Sequence, residues 1–259
     1  MEELKTRAND VEIAYRVAGQ GRPVLFIHGN TGSKRWFEKV MHIEGARTIA
    51  PDMPNFGDSS RIDSADIDVY ADYVAEFIRN IDVTSPLPVV GHSLGGAVVI
   101  SLAIRNPDLV SRLMLVDSAP LDGLKTPEEY YPVIEQYQSN RDLLLQALRS
   151  VTPTLDDESF RETLTDDAMR MNPIAFTGNA RALERFDYTG QAATFEKPVM
   201  VVSGAKDVLI TAEMAEATAN AFPNGSLTIL ETVGHSVMVE APETFISLVE
   251  DFLDPSLGG

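Results

Sequence analysis

Cysteine is absent from the 259 residues. That excludes disulfides, thiolate nucleophiles and cysteine-bound metals, although it does not fix the compartment. No run approaches the ~18 consecutive apolar residues of a membrane-spanning helix, so no span is expected. The opening stretch MEELKTRAND lacks the apolar run of a signal peptide, and the expected location is the cytoplasm. Lysine is scarce, at 6 of the 21 basic residues. Against these stand 39 acidic side chains and a formal net charge of −18. Such a surface repels nucleic acid and anionic membranes, so neither is an expected partner. The charge most simply serves solubility, with a salt-adapted source as the alternative. Attraction of cationic substrates fits less well, because the acids are spread along the whole chain. Repeats, low-complexity tracts and obvious linkers are missing too. What is present is 44% hydrophobic residues, enough for one large domain or a core with a small insertion.

Short apolar runs alternate with helical patterns, which predicts an α/β fold with a mostly parallel sheet. Val11–Val17, Pro23–Ile27, Arg47–Ala50, Leu87–Val90 and Leu113–Val116 read as strands. A helix is predicted over Asp66–Ile81, with Ile67, Tyr70, Val74, Phe77, Ile78 and Ile81 on one face. Another follows over Ala97–Arg105. Between Pro120 and about Gln191 no buried strand is visible. Helical stretches over Tyr131–Val151 and Asp156–Met171 fill that segment, broken by prolines, with Asp156, Asp157 and Glu158 as a solvated helix start. Strands resume at Pro198–Ser203 and Ser226–Leu230, with helices over Thr211–Ala221 and Pro242–Leu253. The expected organisation is a core of residues 1–119 and 192–259 with a helical cap at 120–191.

The chemistry concentrates in Gly91-His92-Ser93-Leu94-Gly95, a G-x-S-x-G between a strand and a helix. A sharp turn there strains the serine backbone and lifts its hydroxyl out of the sheet. The two glycines leave room for neighbouring backbone. A serine needs a base. Of the four histidines, His92 adjoins the serine and is expected to point away from the base position. His28 ends a strand and looks structural, and His42 falls on a predicted surface helix. His235, just past the last strand, remains. The acid that orients it should follow a strand: Asp207 in GAKD is preferred, and Asp117 after LMLV is the rival. The oxyanion donors are expected to be the backbone N–H groups of Leu94 and Asn30.

PVLFIHGN, APDMPNFGDSS, VVGHSLGG, VVSGAKD and VGHSVMVEAPE together resemble the α/β-hydrolase superfamily in order and spacing. The likeness spans nearly the whole chain outside 120–191, where such proteins carry a variable cap. It implies the chain order Ser, Asp, His for the triad. It also implies a structural turn over Asp52–Ser59, with Asn55 where many relatives have glycine, and a structural helix start at Glu240 and Pro242. Relatives that displace halide or open epoxides use aspartate in place of Ser93. Those that cleave carbon–carbon bonds often have asparagine where His92 stands.

The expected function is a serine hydrolase acting on a small to medium, uncharged carboxylic ester or lactone. The alternatives are a carbon–carbon bond hydrolase or cofactor-free perhydrolase on the same triad, and a hydrolase-like ligand sensor. Trp36, Phe176, Tyr130 and Met238 are the candidate substrate-binding side chains; Phe37, Tyr131, Met169, Met171 and Phe186 either join them or pack the cap. No motif points to a metal, nucleotide or flavin, so no cofactor is expected. The expected partner is the small-molecule substrate, with a homodimer left open.

Overall fold

A computed structural model describes residues 1–254, so residues 255–259, the end of the expected core, lie outside the described residues. The strands are β1 (Glu2–Ala8), β2 (Val11–Gly19), β3 (Arg22–Ile27), β4 (Ala46–Pro51), β5 (Leu87–His92), β6 (Val110–Val116), β7 (Val199–Gly204) and β8 (Gly225–Leu230). They form one sheet in the order β1-β2-β4-β3-β5-β6-β7-β8. β1 and β2 pair antiparallel, as do β2 and β4, and every other pairing is parallel. The expected α/β-hydrolase architecture is therefore present. Strand order reverses between β3 and β5, and sheets of this kind bind ligands beyond the carboxyl ends of the strands at such a switch point.

β3 explains why a parallel strand reads as a continuous apolar run. Val24, Leu25, Phe26 and Ile27 are all fully buried, because helices cover both faces. Phe26 meets Phe37 at 5.1 Å and Phe245 at 5.7 Å between ring centroids. Truncating it to alanine would cost about 3–5 kcal/mol. β1 escaped the sequence reading for the opposite reason. It is an edge strand whose Glu2, Glu3, Lys5 and Arg7 leave only a thin apolar rhythm, and little of it is buried.

Helix α1 (Ile67–Asn80) starts where Asp66 accepts from the Asp68 and Val69 N–H groups. Its buried face carries the predicted Ile67, Tyr70, Val74, Phe77 and Ile78, whereas Ile81, expected on the same face, is the extended residue just past the helix end and packs only partly buried against the core. α2 (Leu94–Arg105) begins directly after Ser93, three residues earlier than the periodicity predicts. Between β6 and β7 stand α3 (Tyr131–Gln136), α4 (Arg141–Val151), α5 (Glu158–Ala168) and α6 (Pro173–Arg185). The single stretch expected over Tyr131–Val151 is two helices: α3 ends at Gln136, and Asn140 caps the start of the next by accepting from the Leu143 N–H at 3.1 Å. Asp157 caps α5 in the same way through the Phe160 N–H. α7 (Ala212–Ala221), α8 (Val237–Glu240) and α9 (Pro242–Leu253) complete the chain. His42 is exposed, as expected, but stands in a loop after the 3-10 turn Lys34–Val40 rather than on a helix.

The four helices between β6 and β7 are tied to the core by polar groups. Asp167 accepts from Ser33 Oγ and Arg35 Nε, each at 2.8 Å, and Arg170 reaches Asp58 at 2.5 Å. Beneath them the buried Lys34 ammonium bridges Asp52 at 2.7 Å and Asp58 at 2.6 Å. Hydrogen bonds from Lys34 and Arg170 overcome partial burial and hold the Asp58 carboxyl down at about 2. No helix among the described residues is long and apolar enough to cross a membrane.

Candidate active site

Ser93 follows β5 at the switch point with φ 53 and ψ −118, a left-handed backbone that a side chain other than glycine rarely adopts. Holding it costs about 1–3 kcal/mol, and neighbouring bonds enforce it. The Ser93 N–H donates to Val116 O at 3.0 Å, while Ser93 O accepts from Gly96 at 2.9 Å and Ala119 at 3.2 Å. The hydroxyl makes no capping bond to α2, so it is left to other chemistry. Two glycines let the strands crowd this turn. A Cβ on Gly95 would stand 2.5 Å from Ile27 O, and one on Gly29 would stand 2.9 Å from Ser93 Cβ.

That contact brings the loop after β3, and hence Asn30, beside the serine. The Leu94 and Asn30 N–H groups are committed to no acceptor among the described residues. They are the two donors expected to receive an oxyanion. His28 is buried and structural, as expected: its Nε2 accepts from the Met53 N–H at 3.0 Å.

His235 lies past β8, 3% exposed, and its Nδ1 donates to Asp207 Oδ2 at 2.6 Å. Asp207 Oδ1 accepts from the Leu209 N–H at 2.7 Å. Burial opposes charge on both side chains, but their mutual bond and attraction outweigh it. The Asp207 carboxyl is held below its ordinary range and the His235 imidazole above its own. With Nδ1 protonated and held by the carboxylate, Nε2 is the atom left to take a proton.

Asp117, the rival acid, follows β6 with φ 44 and is 1% exposed. It offers a ligand atom within 4.8 Å of those of Asp207 and His235. Its Oδ1 instead accepts from the Gly204 N–H at 2.8 Å, and its Oδ2 is buried without a partner. Burial, reinforced by the charge of Asp207, pushes its carboxyl up to about 7. Geometry therefore gives the imidazole to Asp207.

His92 and Glu240 differ from expectation. His92 does not point away from the base. Its ring lies between Trp36 at 5.5 Å and His235 at 5.0 Å, and its Nε2 donates to the His235 carbonyl at 2.8 Å. Burial and the neighbouring His235 charge lower its pKa to about 3, so it stays neutral. It supports the backbone of the residue that orients toward Asp207. Glu240 is more than a helix start. Its carboxylate accepts from the N–H groups of Gly234 at 3.1 Å and Ser236 at 2.9 Å, on both sides of His235, and from Thr154 N and Oγ1 at 3.0 and 2.6 Å. Pro242 does open α9, at its first position.

Among the candidate pocket residues, Trp36 is 2% exposed and stacks on His92, Met238 is fully buried on α8, and Phe176 is 2% exposed on α6. Tyr130 does not join them. It is 55% exposed on a short 3-10 turn, Glu128–Tyr130, and its neighbour Tyr131 is the one turned inward, beneath the Arg181 guanidinium at 3.5 Å. Consecutive residues of a helical turn face different directions, so only one of the pair can be inside.

Comparison with known proteins agrees with this architecture. Lipase 1 of Psychrobacter immobilis is 27% identical over 91% of this chain and 78% of its own length. The 2-hydroxy-6-oxo-6-(2'-aminophenyl)hexa-2,4-dienoic acid hydrolase of Metapseudomonas resinovorans is 28% identical over 97% of this chain and 90% of its own. An esterase from Exiguobacterium antarcticum superposes with a TM-score of 0.87 at 20% identity, covering 96% of this chain and 98% of that one, which bears on the fold alone. The model of the alpha/beta hydrolase family matches residues 24–248, and with the strained serine, the histidine and the acid arranged at one sheet edge, the chain belongs to that family.

Proposed function

We propose that the chain is a serine hydrolase that cleaves a small to medium, uncharged carboxylic ester or lactone through an acyl-enzyme. The observation that carries this is the Asp207–His235 bond of 2.6 Å, on a histidine whose ring lies 5.0 Å from that of His92, the residue before a serine held at φ 53. Ser93 Oγ attacks the carbonyl carbon as His235 Nε2 takes its proton. The C=O π electrons move to oxygen, and the Leu94 and Asn30 N–H groups bind that oxyanion. As the carbonyl re-forms, the C–O bond to the alcohol breaks and His235 returns the proton to the leaving oxygen. Water then repeats the sequence, releasing the acid and restoring the serine. Asp207 stabilises the imidazolium at each stage without itself taking the proton. The chemistry needs no metal or organic cofactor.

Support for an uncharged substrate comes from the net charge of −18, which repels anions, and from the apolar Trp36 stacked on His92, with Phe176 and Met238 buried on α6 and α8. Residues 120–191 act as the cap over it. Carbon–carbon bond hydrolysis on the same triad is the second reading, favoured by the hexadienoic acid hydrolase relative. A panel of phenyl esters and lactones graded by chain length, run beside a vinylogous diketone, separates the two. Ester turnover that vanishes in Ser93→Ala is expected. Undiminished turnover in that variant would refute the serine, and faster diketone cleavage would favour the second reading.

A further inference from the structure

A directional chain of side-chain hydrogen bonds, buried until it reaches the half-buried Asn30, runs from the core through α6 to the loop after β3. Asn55, 1% exposed at φ 79, donates from Nδ2 to Tyr70 Oη at 3.2 Å. Tyr70, fully buried on α1, donates to Asn179 Oδ1 at 2.9 Å. Asn179, fully buried on α6, donates from Nδ2 to Asn30 Oδ1 at 2.8 Å. Asn30 Oδ1 accepts a second bond from the Thr31 N–H at 3.0 Å, which closes its own loop. Asn172 anchors the start of α6 to the far end of the chain, donating from its backbone N–H to Asn55 O and from Nδ2 to Asn55 Oδ1, each at 2.8 Å.

Burial gives these bonds their weight. A buried amide left without a partner is costly, so each member dictates the orientation of the next. A tyrosine hydroxyl that donates to Asn179 Oδ1 leaves the Asn179 NH2 for Asn30. The Asn30 carboxamide must then turn its oxygen toward α6, and the turn at Asn30–Thr31 is set by that choice. The same residue carries the backbone N–H expected to receive the oxyanion.

We infer that Asn179 is a positioning residue, which fixes the Asn30 loop in the oxyanion-binding conformation and so couples the docking of α6 to assembly of the catalytic site. This rests on the serine-hydrolase reading above. It makes α6 part of the machinery of the chemical step rather than only a wall of the pocket. It also separates two roles within one helix, because Phe176 faces the apolar interior while Asn179, one turn on, holds the loop.

The test compares Asn179→Asp, Asn179→Ala and Tyr70→Phe with the parent protein. Measurements are kcat and KM on a short-chain phenyl ester, the affinity for an alkyl trifluoromethyl ketone, and Tm. The ketone forms a serine adduct with a true oxyanion, so it senses the donors as the ester ground state does not. Asn179→Asp keeps the shape but replaces the donor with a second acceptor facing Asn30 Oδ1. Both Asn179 variants should lose about 10- to 100-fold in kcat, with KM changed less than about threefold and ketone affinity falling in parallel. Tyr70→Phe should lose less in the same direction. Asn179→Gln, which keeps the donor, should recover part of the rate. The inference fails if the variants lose Tm while kcat and ketone affinity hold, or if KM alone rises. Should Asn179→Ala not fold, Tyr70→Phe and Asn179→Gln still decide between these results. A parent protein that turns over no ester and ignores the ketone would instead overturn the serine-hydrolase reading itself.

Discussion

Glu240→Ala is expected to weaken both the fold and the rate. Four donors converge on this one carboxylate, from Gly234, Ser236 and Thr154 twice, and together they brace the loop that carries His235. Glu240 is partly exposed, so water can replace the lost acceptor in part. About 1 kcal/mol per bond is then appropriate rather than the full buried penalty, which gives about 3–4 kcal/mol in all. For a chain of this size each kcal/mol moves Tm by about 2–4 °C, so the expected drop is about 6–16 °C. Glu240→Gln keeps an acceptor for the three donors on one oxygen but turns an NH2 toward the Ser236 N–H. It should cost only about 1–2 kcal/mol. The charge matters separately. The Asp207 bond and charge, with Asp117 and Glu240 adding to them, hold the His235 pKa above 6.5 despite burial. Because the base must be neutral, kcat/KM should fall as pH drops through that raised value. Removing the Glu240 charge in Glu240→Gln lowers the proton affinity of His235, and the acid limb should move to lower pH. Differential scanning fluorimetry and a pH–rate profile on a phenyl ester read both effects. An unchanged Tm and kcat in Glu240→Ala, or an acid limb that moves up in Glu240→Gln, would refute the clamp.

The two carboxylates near His235 should respond differently. Asp207→Asn is expected to lower kcat by about 10³- to 10⁴-fold, because an amide cannot hold the imidazolium. Asp117→Asn keeps an acceptor for the Gly204 N–H and replaces a group whose pKa is pushed up to about 7, so less than about tenfold should be lost when assayed near pH 6. A larger loss from Asp117→Asn than from Asp207→Asn would reverse their roles. Gly95→Ala would place a methyl 2.5 Å from the Ile27 carbonyl and against that of His28, backbone atoms that cannot yield, and about 3 kcal/mol or more of stability should go. Gly190→Ala, with no atom within 4 Å of the new methyl, should change stability by less than about 1 kcal/mol in urea melts. Equal midpoints for these two variants would contradict the crowding at the elbow.

Much of the molecule was legible in the sequence because backbone geometry restricts residue type. A strand buried on both faces must be apolar throughout, so β3, β5 and β7 stood out. A turn that crowds two strands admits only glycine, so the Ser93 elbow stood out too. Placing His235 needed only elimination among four histidines and a position past the last strand. β1 was missed because an edge strand needs no apolar face. The break at Asn140 was missed because one capping side chain inside a long amphipathic pattern leaves the periodicity intact. Tyr130 and Tyr131 have the same chemistry, and the direction of a 3-10 turn, which decides between them, leaves no mark in composition. The orientation of His92, the bonds from Thr154 to Glu240 and the Asn179 relay depend on contacts between residues tens of positions apart. Nothing near each residue in the chain announces its partner.

The central claim is that Ser93 is a nucleophile activated by His235. Incubation with a fluorophosphonate followed by intact-protein and peptide mass spectrometry tests it most directly. One phosphonyl adduct per chain on the peptide containing Ser93 is expected, lost in Ser93→Ala and slowed by at least about 10³-fold in His235→Ala. An unlabelled parent protein, or labelling that persists at the same rate in either variant, would contradict it.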